Sequence, residues 1–165
     1  DQAYVQDITY VWTSEGWLYL AVVIDLYSRK VVGWSMSSRM KASLVCDAFT
    51  MAIWQRQPKA GLSVHSGQGG QYANKAYRRL IKTRGFVGSM SKRGCCWDNA
   101  VAESFFGSLK QEWVHWRNYA TRSSAQQDIL NDMTMWYNSH RIHSYLDYQS
   151  PNHFEQQNNE LQKVA

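Results

Sequence analysis

Hydrophobic and polar positions follow two different periods along this chain, and the change of period divides it. Val5 to Trp12 is rich in β-branched and aromatic residues, a strand pattern that the turn residues Thr13-Ser14-Glu15-Gly16 bring to an end. Trp17 to Ile24 is apolar on both faces, as a central strand covered from each side should be, and that strand runs to about residue 25. After a turn around Leu26 to Arg29, Lys30 to Met36 reads as a third strand. The chain therefore opens with a three-stranded antiparallel meander. If its first hairpin is centred between Ser14 and Glu15, Val22 lies opposite Asp7.

The period then lengthens. Leu44, Val45, Ala48, Phe49, Ala52 and Ile53 recur at helical spacing and predict a helix from about Lys41 to Gln55, stopped before Pro58. Leu62 to Ser66 is a short strand that runs into the glycine-rich segment Gly67-Gln68-Gly69-Gly70, a basic helix follows from about Asn74 to Thr83, and Phe86 to Met90 is a fifth strand. Ser91 to Trp97 reads as a loop, with Asp98 or Asn99 capping a helix that reaches about Trp113. Another helix spans about Ser123 to Ser139, and Ser150-Pro151 starts a terminal one before the polar tail at 156–165. The expected fold class is α/β: one five-stranded mixed sheet, three antiparallel strands and then two from β-α units, flanked by helices. The order fits a ribonuclease-H-like plan, although other mixed α/β folds share it.

With 165 residues, 44% of them hydrophobic, the chain has enough material for one core and too little for two, so a single domain over 1–165 is expected, with the tail peripheral. Its longest apolar run, Trp17 to Ile24, falls far short of the ~20 residues that cross a bilayer. Cys46, Cys95 and Cys96 are odd in number and two are adjacent, a spacing that suits neither a disulfide framework nor a zinc site, so free thiols in a reducing cytoplasm are expected. Charge adds more through its distribution than through its net value of +5. Between Asp47 and Asp98 there is no acidic residue, whereas Arg56, Lys59, Lys75, Arg78, Arg79, Lys82, Arg84, Lys92 and Arg93 hold half of the 18 basic ones. Such a stretch is either a solvated helix face or a phosphate-binding surface, and its length favours the second.

Among residues that could carry chemistry, Asp7 interrupts an otherwise apolar strand and there requires a hydrogen-bond partner or a metal. On the helix at 99–113, Val101, Phe105, Leu109 and Trp113 form an apolar stripe, and Asn99, Glu103, Gly107 and Lys110 align on another face. Gly107 costs that helix about 1 kcal/mol relative to Ala, for which close approach of a phosphate backbone beside Lys110 would be one reason. Trp97, Trp113, Trp116 and Trp136 read as core or protein interface rather than base-stacking platforms. His140 and His143, with Arg141 between them and no third ligand nearby, point to phosphate contact or packing rather than to a metal.

Several long segments carry a resemblance. Asp7-Ile8-Thr9-Tyr10, Gly16 to Asp25, His65 to Tyr72 and Asp98 to Phe106 are similar to the integrase-type catalytic core of bacterial insertion-sequence transposases, in particular the OrfB proteins of the IS-three family. Tyr137, Asn138, Arg141, His143, Leu146, Ser150, Pro151 and Phe154 resemble that family's C-terminal pattern. The resemblance implies an Asp, Asp, Glu triad holding two Mg²⁺ or Mn²⁺ ions for DNA strand cleavage and transfer. It assigns Asp7 to the first position and Glu103 to the third, and the second falls on Gly67, with thirty-five residues between Gly67 and Glu103 as the family pattern has. Lys110 stands where the family has a basic residue near the DNA end.

Gly67 supplies no side-chain oxygen, Gln68 only a neutral carbonyl, and Asp25 lies three residues, ~10 Å, from Asp7 along the sheet. The metal site is therefore expected to be weakened and the chemistry impaired. The alternative is a DNA-binding or assembly module of the same fold without turnover. The resemblance further implies DNA as partner (transposon ends and target), a homo-oligomer in the assembled complex, a bacterial cytoplasmic location and an upstream DNA-binding region that this chain lacks. The expected DNA contacts are Lys75, Arg78, Arg79, Lys82, Lys92, Arg93 and Lys110.

Overall fold

A two-residue turn at Ser14 and Glu15 folds strand β1 (Ala3–Thr13) back onto β2 (Gly16–Asp25), with Gly16 at a positive φ of 105° that favours glycine. This turn fixes the antiparallel register, and Asp7 pairs with Val22 as the hairpin centre predicts. The computed structural model describes residues 2–67, 69–90 and 99–164. β3 (Val31–Ser37) lies antiparallel to β2, and β4 (Ser63–Ser66) and β5 (Val87–Met90) add in parallel on the other side, so the sheet order is β3-β2-β1-β4-β5. All five expected strands are present, within two residues of the expected bounds.

Helices cover both faces. On one, α1 (Ala42–Arg56) and α3 (Lys75–Thr83) bury Phe49, Ala52 and Tyr77 against Tyr4, Val23, Val32 and Val64. Gly33 lets α1 close onto β3, because a Cβ there would lie 2.3 Å from the Ala48 carbonyl oxygen. On the other face, α4 (Ala100–Ser108) and α5 (Arg122–Asn131) bury Ala102, Phe105, Ala125 and Ile129 against Val5, Val11, Leu20 and Val22. Strand β2 is buried on both faces because it feeds both of these cores. A four-residue helix, α2 (Gly70–Ala73), and the terminal α6 (Pro151–Val164) complete the described helices with α geometry.

The two long helices depart from the sequence reading. α4 widens into a π-helical turn at Leu109–Trp113 and then tightens at Val114–Trp116, and α5 passes into another π-helical stretch at Asp132–Tyr137. Such turns shift the faces that follow, and they are frequent near functional sites. Asn99 precedes α4 but makes no side-chain cap bond: its NH2 group donates to Asp7, and its Oδ1, the atom a cap would use, has no partner among the described residues.

Candidate metal and nucleic-acid site

The parallel pairing of β1 with β4 ends at Gln6 and Ser66, so Gly67 leaves the carboxyl end of β4 beside Asp7, where β1 continues without β4. Ligands of open α/β sheets commonly bind in crevices beyond such ends. Among the described residues, a Cβ built on Gly67 would have Asp7 Oδ1, 3.8 Å away, as its only neighbour within 4 Å, an ordinary van der Waals contact. Position 67 therefore has room for a side chain directed at the Asp7 carboxylate.

Asp7 is half-buried. Its Oδ1 accepts the Ile8 backbone N–H at 2.8 Å, and its Oδ2 accepts the Asn99 side-chain amide at 3.0 Å. Burial raises its pKa above the ordinary 3.8. The hydrogen bonds from Asn99 and Ile8 oppose that shift, and the charge of Glu103 adds to it. Glu103 itself is exposed on the first turn of α4. The structure thus sets position 67 against Asp7, with Glu103 near enough for its charge to act on Asp7. Tyr72, missed by the sequence reading, joins them: its phenol is buried, and burial followed by the Asp7 charge holds its pKa well above 10. Asn99 was legible as a helix cap and as a member of the Glu103 face, but nothing local in the sequence signals a bond across 92 positions to Asp7.

A titration follows from this arrangement. The folded pKa of Asp7 is raised, so the native state binds more protons than the unfolded chain over the window from 3.8 up to the folded value. The Asp7 contribution to stability accordingly falls as pH rises through that window. Carboxyl NMR is expected to find Asp7 above 3.8, moved down by Glu103→Gln and further up by Asn99→Ala. No response to either substitution would remove Glu103 and Asn99 from the surroundings of Asp7.

Two carboxylates with adjacent hydrogen-bonding groups fit one hard divalent cation. They do not fit a close pair of dications, because position 67 contributes no oxygen and, among the described residues, no cluster of three or more His, Cys, Asp or Glu could hold a metal.

The expected phosphate contacts divide between two places. Lys75, Arg78, Arg79 and Lys82 all lie exposed on α3, opposite the buried Tyr77, and Asn74 caps the helix through its side chain, which accepts the Ala76 N–H at 2.8 Å. Lys110 lies in the π-helical turn after α4, and its ammonium sits 4.8 Å from the centre of the Tyr10 ring. A Cβ on Gly107 would meet nothing within 4 Å, so packing does not demand glycine there. Lys92, Arg93, Gln68, Asp98 and Trp97 lie outside the described residues.

Elsewhere, Trp113 is half-buried and donates its indole N–H to Asp128, whereas Trp116 and Trp136 are exposed. His140 stacks on Trp136 and bonds the Met135 carbonyl oxygen, while His143 packs edge-on against Tyr137. No metal pair forms from the two histidines.

Comparison with known proteins agrees with the fold and the motifs. An integrase core domain model matches residues 1–96, more than half of the chain, and a second integrase core domain model matches 84–151. The chain is 49% identical over 158 residues to the transposase InsF for insertion sequence IS3fB of Escherichia coli strain K12, covering 96% of this chain and 55% of that protein. It is 46% identical to the transposase for insertion sequence element IS904 of Lactococcus lactis, of which it covers 62%. It therefore spans somewhat over half the length of these relatives. Among solved structures, the HTLV-2 integrase catalytic core domain in complex with magnesium superposes with a TM-score of 0.69 at 14% identity, covering 93% of this chain and 95% of that one. A chain of the simian T-cell lymphotropic virus intasome structure reaches 0.72 at 13% identity, covering 93% of this chain and 53% of that one. The fold is ribonuclease-H-like, and the chain belongs to the integrase core domain family.

Proposed function

We propose that this chain is the catalytic-core region of a DNA transposase, with Asp7 and Glu103 as metal-binding carboxylates and Gly67 at the position of a missing third. The observation that carries this reading is position 67 set against the Asp7 carboxylate at the end of β4, with the charge of Glu103 acting on the same carboxylate. Support also comes from the relatives, which are named transposases, and from a fold neighbour solved with magnesium. A single Mg²⁺ or Mn²⁺ held by Asp7 and Glu103 would polarise a phosphodiester oxygen. The residues at the site do not fit a metal pair, so cleavage and strand transfer that depend on one are impaired in this chain.

What the chain's own residues do is hold DNA. Asn99 and the Ile8 N–H fix the Asp7 carboxylate in orientation. Lys75, Arg78, Arg79 and Lys82 on α3, with Lys110, neutralise backbone phosphates, and Lys92 and Arg93 belong to the same proposed set. Gly67 specifically favours a second reading, a non-catalytic module that occupies transposon ends or takes part in assembly as a homo-oligomer.

Both readings require phosphate contact, and a salt titration of affinity for duplex DNA tests it. Affinity is expected to fall steeply with salt, with a log–log slope of about −0.9 per phosphate neutralised. Changing Arg78, Arg79 and Lys82 together to Ala should flatten that slope by about two to three and weaken binding to all sequences alike. An affinity flat with salt, or unaltered in the triple variant, would assign α3 to an ordinary solvated face.

A further inference from the structure

The C-terminal motif Tyr137 to His143 has no part in the site described so far, yet it lines a cavity. This cavity, about 390 Å³, opens between α4, the turn that carries Arg29 between β2 and β3, and the segment Arg141 to Tyr145. Ser104 and Ser108 face it from α4, one residue along from Glu103 and Gly107, so it adjoins the metal-binding face around the same helix.

Its lining is cationic and unsaturated. The Arg29 guanidinium is stacked 4.0 Å from the centre of the Tyr145 ring and has no carboxylate at ion-pair distance among the described residues. Arg141 also lines the cavity and is held by Glu112. His143 lines it as well, and its Nε2 is buried and makes no hydrogen bond among the described residues. Burial first, then the charges of Arg141 and Arg29, push its pKa down to about 4, so the ring is neutral at pH 7. A pocket with two guanidiniums and serine hydroxyls has the donors an anion requires, the His143 ring lines it too, and Tyr145 and Phe105 add aromatic surface beside them.

We propose that this cavity is a second phosphate site for the DNA strand, in which Arg29 and Arg141 clamp a backbone phosphate, Ser104 completes its hydrogen bonds and the His143 ring lies beside its charge. The proposal rests on the DNA reading above and deepens it: a strand whose scissile phosphate lies at Asp7 and Glu103 would seat a neighbouring phosphate one helix face away. An anion between the two arginines also offsets the part of the lowered His143 pKa that comes from their charges, leaving the part that comes from burial. Occupancy is therefore linked to proton uptake by that ring.

The test follows the His143 ring by NMR across pH, in the unaltered chain without metal. Three probes are compared: inorganic phosphate, a single-stranded pentathymidylate, and the same oligonucleotide bearing a 5′-phosphate. The expected result is an upward shift of the His143 pKa with both oligonucleotides and an affinity about tenfold weaker in Arg29→Asn, with Arg29→Lys retaining most of it. Asparagine tolerates the positive φ of 61° at this position. A shift confined to the 5′-phosphorylated oligonucleotide, or seen with inorganic phosphate alone, would overturn the assignment to an internal phosphodiester. A ring unmoved by all three probes would overturn the site altogether, and that measurement depends on no variant. Salt-dependent duplex binding through α3, measured in parallel, separates the outcomes: if it persists while His143 does not respond, the pocket assignment falls and the DNA reading stands.

Discussion

Gly67→Asp is expected to turn a weak metal site into a strong one and, with a separate DNA-binding module fused to the chain, to bring strand cleavage and transfer. A Cβ at position 67 meets Asp7 Oδ1 at 3.8 Å, and the glycine has no positive φ, so an aspartate fits without backbone change. It would add the negative oxygen ligand needed to hold two dications close together. Without metal, three carboxylates repel one another, and the variant should be no more stable than the parent. With Mn²⁺ at about a hundred times its dissociation constant, binding should stabilise the variant by about 2.7 kcal/mol. That corresponds to a rise in Tm of roughly 5 to 10 °C, against little change for the parent. Adding Glu103→Gln to the Gly67→Asp variant should abolish both the shift and the cleavage. Equal cleavage of labelled transposon-end DNA by the parent and by Gly67→Asp would mean that position 67 is not a ligand position.

The largest loss of stability is expected from Arg56→Ala, at the opposite end of the β1–β2 pairing from the hairpin turn. In the last turn of α1, Arg56 reaches Glu155 of α6 with both terminal nitrogens, at 3.0 and 2.7 Å, and lies 3.7 Å from the fully buried Asp25. Lys30 joins at 3.1 Å from Glu155. Removing the guanidinium takes the ion-pair partner from the fully buried Asp25 and leaves Glu155 with Lys30 as its one cation among the described residues, which in a largely dry site costs about 3 kcal/mol. A drop in Tm of about 10 °C in a thermal melt is expected, and a drop under about 2 °C would mean that the cluster adds no net stability.

The same cluster sets an acid limit. Burial alone would raise the Glu155 pKa, but the Arg56 hydrogen bond and charge outweigh it and hold the carboxyl below its ordinary 4.5. Its contribution is therefore complete above 4.5 and lost as pH falls through the lower folded value. In Arg56→Ala, stability should depend less on pH in that acid range.

Much of this architecture is written in local pattern. Period-two segments and one two-residue turn fix β1 against β2 so tightly that the pairing of Asp7 with Val22 follows from where the turn is centred. The exposed row Lys75, Arg78, Arg79 and Lys82 is equally local, because residues three and four apart share a helix face. The placing of position 67 beside Asp7 was legible through the family motifs and their spacing.

Other features needed the folded chain. Asn99 has the composition of a cap, but its amide binds Asp7 once α4 is docked on the sheet. The wide turns at Leu109–Trp113 and Asp132–Tyr137 leave no mark in hydrophobic periodicity. The Arg56 cluster joins residues 25, 30, 56 and 155, and the cavity joins Arg29 to Arg141 across more than a hundred positions. Sequence alone determined the strands and main helices, the register of the first hairpin and the identity of the candidate carboxylates, since these depend on neighbours within a turn or two of chain and on motif spacing. Which buried charges meet, and which polar atoms are left facing an open cavity, was decided only by tertiary packing, because those pairings are set by how helices seat on the sheet and carry no periodic signal.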